Sequence, residues 1–150
     1  MSFAILAACG GFLIAVLWMD LMFDVQTLRK REHPLPEPVL DSIAAYYRRV
    51  TTEASPMGRL VGVVMAAGAA TALVQLVMGP ARWVSAVSLL LLAPPLLLAQ
   101  MRILPAAVRL GAQQDTPETQ TRLAREICRD HLICLAAMVA FTALQLLSAP

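Results

Sequence analysis

The chain has 150 residues, of which 59% are hydrophobic and 15% are charged, and its mean hydropathy is +0.68. Soluble domains are roughly 45 to 50% apolar, so this composition excludes an ordinary soluble domain and indicates a membrane protein. The net charge of +2 is small and its bases are scattered. A nucleic-acid surface would need a cluster of basic residues, so we predict no nucleic-acid partner.

Four apolar segments predict four transmembrane helices. The predicted spans are about residues 3–23, 57–79, 83–104 and 128–148. Each is long enough, at 1.5 Å per residue, to cross a hydrocarbon core of about 30 Å. Ser55-Pro56 marks the start of the second span and Gly79-Pro80 its end. We therefore predict one four-helix transmembrane domain over residues 1–150.

The first long connection, about residues 24–56, contains an amphipathic segment. Residues 39–50 place apolar side chains on one helical face, which predicts a connector helix. This helix either lies in the membrane interface, with Tyr46 and Tyr47 at headgroup depth, or packs on its own bundle. We take the interfacial arrangement as the prediction and keep the packed one as the alternative.

The second long connection, about residues 105–127, extends the third and fourth helices into the cytoplasm. Gly111 is predicted to follow the end of one helix, while Thr116 and Pro117 are predicted to begin the next. The fold class is thus all-α: a polytopic four-transmembrane-helix bundle with helices that extend into the cytoplasm and one interfacial amphipathic connector helix.

The basic residues orient the chain in the membrane. All except Arg82 lie beside or within the two long connections, and they are Arg29, Lys30, Arg31, Arg48, Arg49, Arg59, Arg102, Arg109, Arg122, Arg125 and Arg129. Cytoplasmic loops carry an excess of Lys and Arg, so both termini are predicted to face away from the cytoplasm. The predicted location is the inner or plasma membrane.

The cytoplasmic ends of all four spans meet at one depth, where we expect any ligand site. The candidate residues are Asp20, Asp24, Arg59, Gln100, Arg102, Arg109, Asp130 and His131. Asp20 and Asp24 share a helix face and would repel each other unless a cation, or a base such as Arg59 or Arg102, lies opposite. Arg102 and Arg109 also share a face and suit an anionic headgroup. In the alternative interpretation, these charges only pair with each other at the helix ends.

Cysteine and histidine usage excludes several enzyme classes. The chain has three cysteines and two histidines, with no Cys-x-x-Cys motif and too few histidines for a pair of haems. Cys128, His131 and Cys134 are spaced along one helix, but a zinc site usually has four protein ligands. Asp20 or Asp24 would have to complete such a site. We predict no metal, and no motif identifies a cofactor.

Four spans, outside termini and a long cytoplasmic first connection resemble the MAPEG family, the small four-helix membrane proteins of eicosanoid and glutathione metabolism. That family carries an Arg-x-x-Asn-x-x-Glu stretch on its second helix. The nearest segment here runs from Arg49 to Glu53, with a different spacing and no asparagine. The resemblance therefore implies an architecture and transfers no catalytic residue.

Three functions are compatible with these patterns. The first is a membrane protein that binds lipid or a lipophilic ligand, or serves as an accessory subunit, at the cytoplasmic leaflet. The second is an enzyme that acts on a lipophilic substrate with Asp20, Arg102 and His131, and the third is a small oligomeric transporter. The expected partners are membrane lipid and either further copies of the chain or the other subunits of a membrane complex.

Overall fold

A computed structural model describes residues 2–53, 56–79 and 81–149, which form helices with no strand among them. The elements are α1 (Ser2–Asp24), α2 (Gln26–Arg29), α3 (Glu37–Arg48), the π-helical segment π1 (Arg49–Glu53), α4 (Pro56–Met78), α5 (Arg82–Leu98), the π-helical segment π2 (Ala99–Ile103), α6 (Leu104–Ala112) and α7 (Pro117–Ser148). The predicted boundary residues Ser55 and Pro80 lie outside the described residues.

Among the described residues, four helical stretches are long and apolar enough to span a membrane, which confirms the four predicted apolar helices. These stretches are Ser2–Arg29, Pro56–Met78, Arg82–Ala112 and Pro117–Ser148. The third runs through α5, π2 and α6, and the fourth begins well before its apolar part. The expected extension of these two helices beyond the apolar spans is thus present.

Helix α7 packs along both α1 and α5, and α4 completes the bundle against α1 and α5. The contact between α1 and α7 is close at Gly10, where an added Cβ would collide with Thr142 Oγ1. An apolar core that includes Leu6, Met138 and Phe141 fills the bundle there. We call the opposite end, which carries Asp20, Asp24, Asp130 and His131, the polar end.

The amphipathic connector forms α3, and its apolar face is covered by protein. Leu40, Ile43, Ala44 and Tyr47 are buried, and α3 packs mainly against α6 and also against α7. Gly111 allows this approach, because a Cβ there would lie 2.7 Å from the backbone nitrogen of Arg48. In the structure, α3 therefore packs on its own bundle, as the alternative had it. The prediction that its apolar face lies in the membrane interface is wrong.

The helical hairpin between α6 and α7 differs from its prediction in one detail. Gly111 lies inside α6, and the left-handed residue that follows the helix is Gln113, with φ of 51°. Gly111 is used for close packing against α3 instead of for the turn. The start of α7 is as predicted, because the Thr116 side chain accepts a hydrogen bond from the backbone nitrogen of Thr119 and Pro117 occupies the first turn.

Candidate functional site

The polar end contains a buried network centred on Asp24, the last residue of α1. Asp24 is completely buried. Its Oδ1 accepts a hydrogen bond from the Tyr47 hydroxyl at 2.6 Å, and its Oδ2 lies 2.7 Å from His131 Nδ1. An ionised carboxylate is only an acceptor, so the proton of this second bond belongs to Nδ1. Three elements, α1, α3 and α7, thus meet at one carboxylate.

Asp20 lies one helical turn before Asp24. It also has a tyrosine and His131 as neighbours, but its side chain is more exposed than that of Asp24. Its Oδ1 accepts a hydrogen bond from the Tyr46 hydroxyl at 2.5 Å. Its Oδ2 lies 3.8 Å from His131 Nε2, which is beyond hydrogen-bonding distance. Tyr46 is held in place by Phe23, whose ring stacks on it at 4.1 Å between centroids. Asp20 therefore has one satisfied oxygen and one oxygen that faces the histidine across a gap.

The two tyrosines are placed so that they remain hydrogen-bond donors. Burial, together with the nearby carboxylates of Asp20 and Asp24, raises the pKa of Tyr46 and that of Tyr47 above the ordinary value for a phenol. Both effects oppose a second negative charge beside the carboxylates. Each phenol therefore stays protonated and donates to its aspartate.

A cavity of about 240 Å³ begins at this network and extends between the helices. Most of its lining is apolar, and Asp20, Tyr47, His131, Gln100 and Thr51 form its polar part. The apolar lining includes Leu13, Val61, Gly62, Met65, Pro95 and Met138. Met57, which also lines the cavity, is exposed, so the cavity reaches the protein surface beside the first turn of α4.

Both π-helical segments border this cavity. Val50 and Thr51 of π1 line it on one side, and Ala99, Gln100 and Ile103 of π2 line it on another. π2 follows Pro94 and Pro95, two residues without an amide proton, whose place inside α5 disturbs the regular pattern of backbone hydrogen bonds. Short π-helical segments frequently occur at functional sites. Irregular backbone is therefore concentrated around the cavity.

A second group of charges at the polar end consists of ion pairs with exposed arginines. Arg102 Nε lies 3.1 Å from Asp130 Oδ2, and Arg129 Nη2 lies 3.1 Å from Asp130 Oδ1. Asp130 is buried, but about half of each arginine side chain is exposed. The pair between Arg102 and Asp130 connects π2 to α7.

The structure brings together only some of the candidate residues. Asp20, Asp24 and His131 form one cluster, and Gln100 shares the cavity with Asp20 and His131. The remaining candidates lie elsewhere: Arg102 and Asp130 pair with each other, Arg109 pairs with Asp115 at 2.8 Å in the helical hairpin, and Arg59 is exposed on α4.

We expected a base such as Arg59 or Arg102 opposite Asp20 and Asp24. The structure instead places His131 and the hydroxyls of two tyrosines there. Sequence reasoning missed the role of Tyr46 and Tyr47, which we expected at headgroup depth. One signal was available, since Tyr47 lies on the apolar face of α3 and a buried tyrosine hydroxyl usually has a hydrogen-bond partner.

Within the described residues, no three His, Cys, Asp or Glu side chains are grouped so that they could hold a metal ion. Cys128, His131 and Cys134 follow one another on α7, but His131 is directed to Asp24 and Asp20.

No protein-family model, curated protein or solved structure matches the chain.

Proposed function

We propose that the chain is an integral protein of the inner or plasma membrane with both termini on the non-cytoplasmic side. Its long helices expose large apolar side chains such as Val77, Leu90 and Leu147, which a protein in water rarely does over a wide surface. The basic residues are concentrated towards the polar end, as the positive-inside rule requires. A phosphatase that is active only outside the cytoplasm, fused after residue 150, is expected to be active. An inactive but stable fusion would contradict this orientation.

We propose that the function of the protein is to bind a lipophilic molecule in the cavity, with its polar group against Asp20 and His131. The observation that carries this proposal is the continuity of a mostly apolar cavity with one polar end. Ligand sites for small molecules combine these two features, because apolar walls provide affinity and a few polar groups fix orientation. Membrane lipid is the nearest source of such a molecule.

Two glycines give a matched test of this binding function. Gly62 lines the cavity, and Gly11 lies on α1 away from it. An added Cβ at either position meets no atom within 4 Å, so both accept a larger side chain without a clash at the Cβ. Gly62→Phe is expected to fill cavity space, whereas Gly11→Phe is expected to leave the cavity open.

The measurement is the amount of lipophilic molecule retained by each protein after purification in mild detergent, determined by mass spectrometry. We expect the wild type and Gly11→Phe to retain the same species in similar amounts, and Gly62→Phe to lose most of it. Circular dichroism checks that both variants are folded. Equal retention by all three proteins would contradict binding in the cavity.

The bond between Asp24 and His131 favours a second function, an enzyme that transfers a proton on a bound lipophilic substrate. A carboxylate at Nδ1 orients the imidazole and leaves Nε2, on the side of Asp20 and the cavity, able to act as a general base. Wild type and His131→Gln are incubated with a membrane lipid extract, and the lipid species are compared. Catalysis predicts a species consumed only by the wild type, and identical extracts would leave ligand binding as the function.

A further inference from the structure

The polar part of the cavity has an unusual charge balance. Among the described residues that line it, the only acid is Asp20 and the only base is His131, with no lysine or arginine. Arg102 binds Asp130, and Arg48 Nε donates to the carbonyl oxygen of Gly111 at 2.9 Å. Arg59 is exposed on α4 and does not line the cavity. An anionic headgroup would therefore meet the Asp20 carboxylate without a compensating arginine.

The hydrogen-bonding pattern indicates which kind of polar group fits this part of the cavity. His131 is 4% exposed, and its Nδ1 proton is used by Asp24. A neutral imidazole with a proton on Nδ1 presents Nε2 as an acceptor. Nε2 and Asp20 Oδ2 are 3.8 Å apart, too far to bond each other. With His131 in its neutral form, two acceptors border one gap at the cavity, and a single group with at least two N–H donors satisfies both.

Three common polar heads differ in how well they fit this gap. A carboxylate has no donor and repels Asp20, and a hydroxyl has one donor and no charge. A protonated primary amine has three donors and a positive charge, and its hydrogen bond to a carboxylate is charge-assisted. Its positive charge also offsets the negative charge of Asp20 in a region of low dielectric constant.

We propose that the cavity recognises a lipophilic primary amine, whose ammonium group donates to Asp20 Oδ2 and His131 Nε2 while its hydrocarbon part occupies the apolar cavity. This inference rests on the proposed binding function and specifies its ligand class. Tyr46 contributes by holding Asp20 Oδ1, so that Asp20 Oδ2 is directed to the ligand. Tyr47 holds Asp24 Oδ1, which leaves Asp24 Oδ2 for His131 Nδ1.

The experiment compares three probes with the same hydrocarbon chain: octylamine, octan-1-ol and octanoate. Each is titrated into the purified full chain in a neutral detergent, and the dissociation constant is measured by calorimetry against a detergent blank. We expect octylamine to bind roughly tenfold or more tightly than octan-1-ol, because a charge-assisted hydrogen bond contributes at least about that factor. Octanoate is expected to bind most weakly.

Asp20→Asn is the specific variant, since asparagine keeps an acceptor for the Tyr46 hydroxyl but removes the charge. It is expected to reduce the preference for octylamine over octan-1-ol to about twofold or less, because the neutral amide forms no charge-assisted bond. Glu118→Gln removes the same charge at an exposed position on α7 and is expected to retain the full preference. Thermal unfolding of both variants checks that the fold is intact.

Several outcomes would overturn the inference. They are equal affinity of the wild type for octylamine and octan-1-ol, tightest binding of octanoate, no binding of any probe, and an unchanged preference in Asp20→Asn. The first of these, together with loss of all binding in Gly62→Phe, would remove the amine as ligand and leave the cavity as a binding site. Retention of co-purified molecules by Gly62→Phe would instead remove the binding function itself.

Discussion

Asp24 and Asp130 are both buried carboxylates at the polar end, but their partners differ in kind. Asp24 is held by a tyrosine hydroxyl and a histidine, both of which are themselves buried. Asp130 is held by Arg102 and Arg129, whose side chains are about half exposed. If the Asp130 carboxylate were removed, both arginines would remain in contact with water. If the Asp24 carboxylate were removed, the Tyr47 hydroxyl and His131 Nδ1 would lose their hydrogen-bond acceptor.

This difference separates two interpretations that the sequence left open for one layer of charges. The Asp130 group corresponds to the pairing of helix ends, in which flexible arginines lie at the surface. The group formed by Asp20, Asp24 and His131 borders the cavity and is fixed by side chains from three elements. Only the second group borders a cavity, so substitutions are expected to affect the two groups differently.

The largest expected effect is that of Asp24→Ala. It leaves the Tyr47 hydroxyl and His131 Nδ1 buried without their partner, and each unpaired buried donor costs on the order of 1–3 kcal/mol. We expect the free energy of unfolding to fall by about 3 kcal/mol, measured by denaturant titration in detergent. Asp130→Ala is the matched control, with an expected loss of about 1 kcal/mol. Equal losses would contradict the distinction between the two groups.

Gly111→Ala is expected to have the next largest effect. The added Cβ would lie 2.7 Å from the nitrogen and 2.9 Å from the Cα of Arg48, so α3 has to move away from α6. Overpacking of this kind typically costs about 1–3 kcal/mol. The same denaturant titration measures the loss, and Gly58→Ala, where the added Cβ meets no atom within 4 Å, is the control. An unchanged stability in Gly111→Ala would show that α3 is not tightly held.

The two tyrosines provide an optical test, because Tyr46 and Tyr47 are the only ones in the chain. Their raised pKa values predict little tyrosinate absorbance near pH 10, where free phenols ionise. A raised pKa in the folded state also means that stability is fully present below about pH 10 and is lost as the pH rises further. We expect tyrosinate to appear together with loss of helical circular dichroism.

Single substitutions assign this optical signal. Tyr46→Phe and Tyr47→Phe each leave one phenol, and the remaining phenol is expected to resist ionisation in both variants. A tyrosine that titrates near pH 10 while the helices are intact would show that its hydroxyl is not held by an aspartate. This outcome would contradict the hydrogen bond between that tyrosine and its aspartate, which is Asp20 for Tyr46 and Asp24 for Tyr47.

The smallest expected effect is that of Arg102→Ala. Its ion pair with Asp130 is half exposed, and Arg129 also binds this carboxylate, so the loss of stability is expected to be about 0.5 kcal/mol. Retention of co-purified lipophilic molecules is expected to be unchanged, because Arg102 does not line the cavity. Loss of the bound molecule in this variant would instead favour the anion-recognising site that the sequence suggested.

The sequence predicted the four apolar helices and one layer of eight candidate residues at their ends, because helix ends at one depth lie close together. The structure brings Asp20, Asp24 and His131 of this layer into one cluster. The sequence did not predict that His131, and not Arg102, faces α1, since the rotation of each helix about its axis depends on the packing of the whole bundle. The amphipathic pattern of α3 indicated a buried face but not which surface would cover it. The cavity is a space between several elements, and no local pattern reports such a space.

The most direct test of the central claim is a crystal structure of the chain purified from the membrane fraction of expressing cells and crystallised in a lipidic phase. We expect non-protein density in the cavity, with a polar atom between Asp20 Oδ2 and His131 Nε2 and with Asp24 bound to Tyr47 and His131. A closed cavity, or a bound molecule held by Arg102 and Arg129 outside it, would contradict the account.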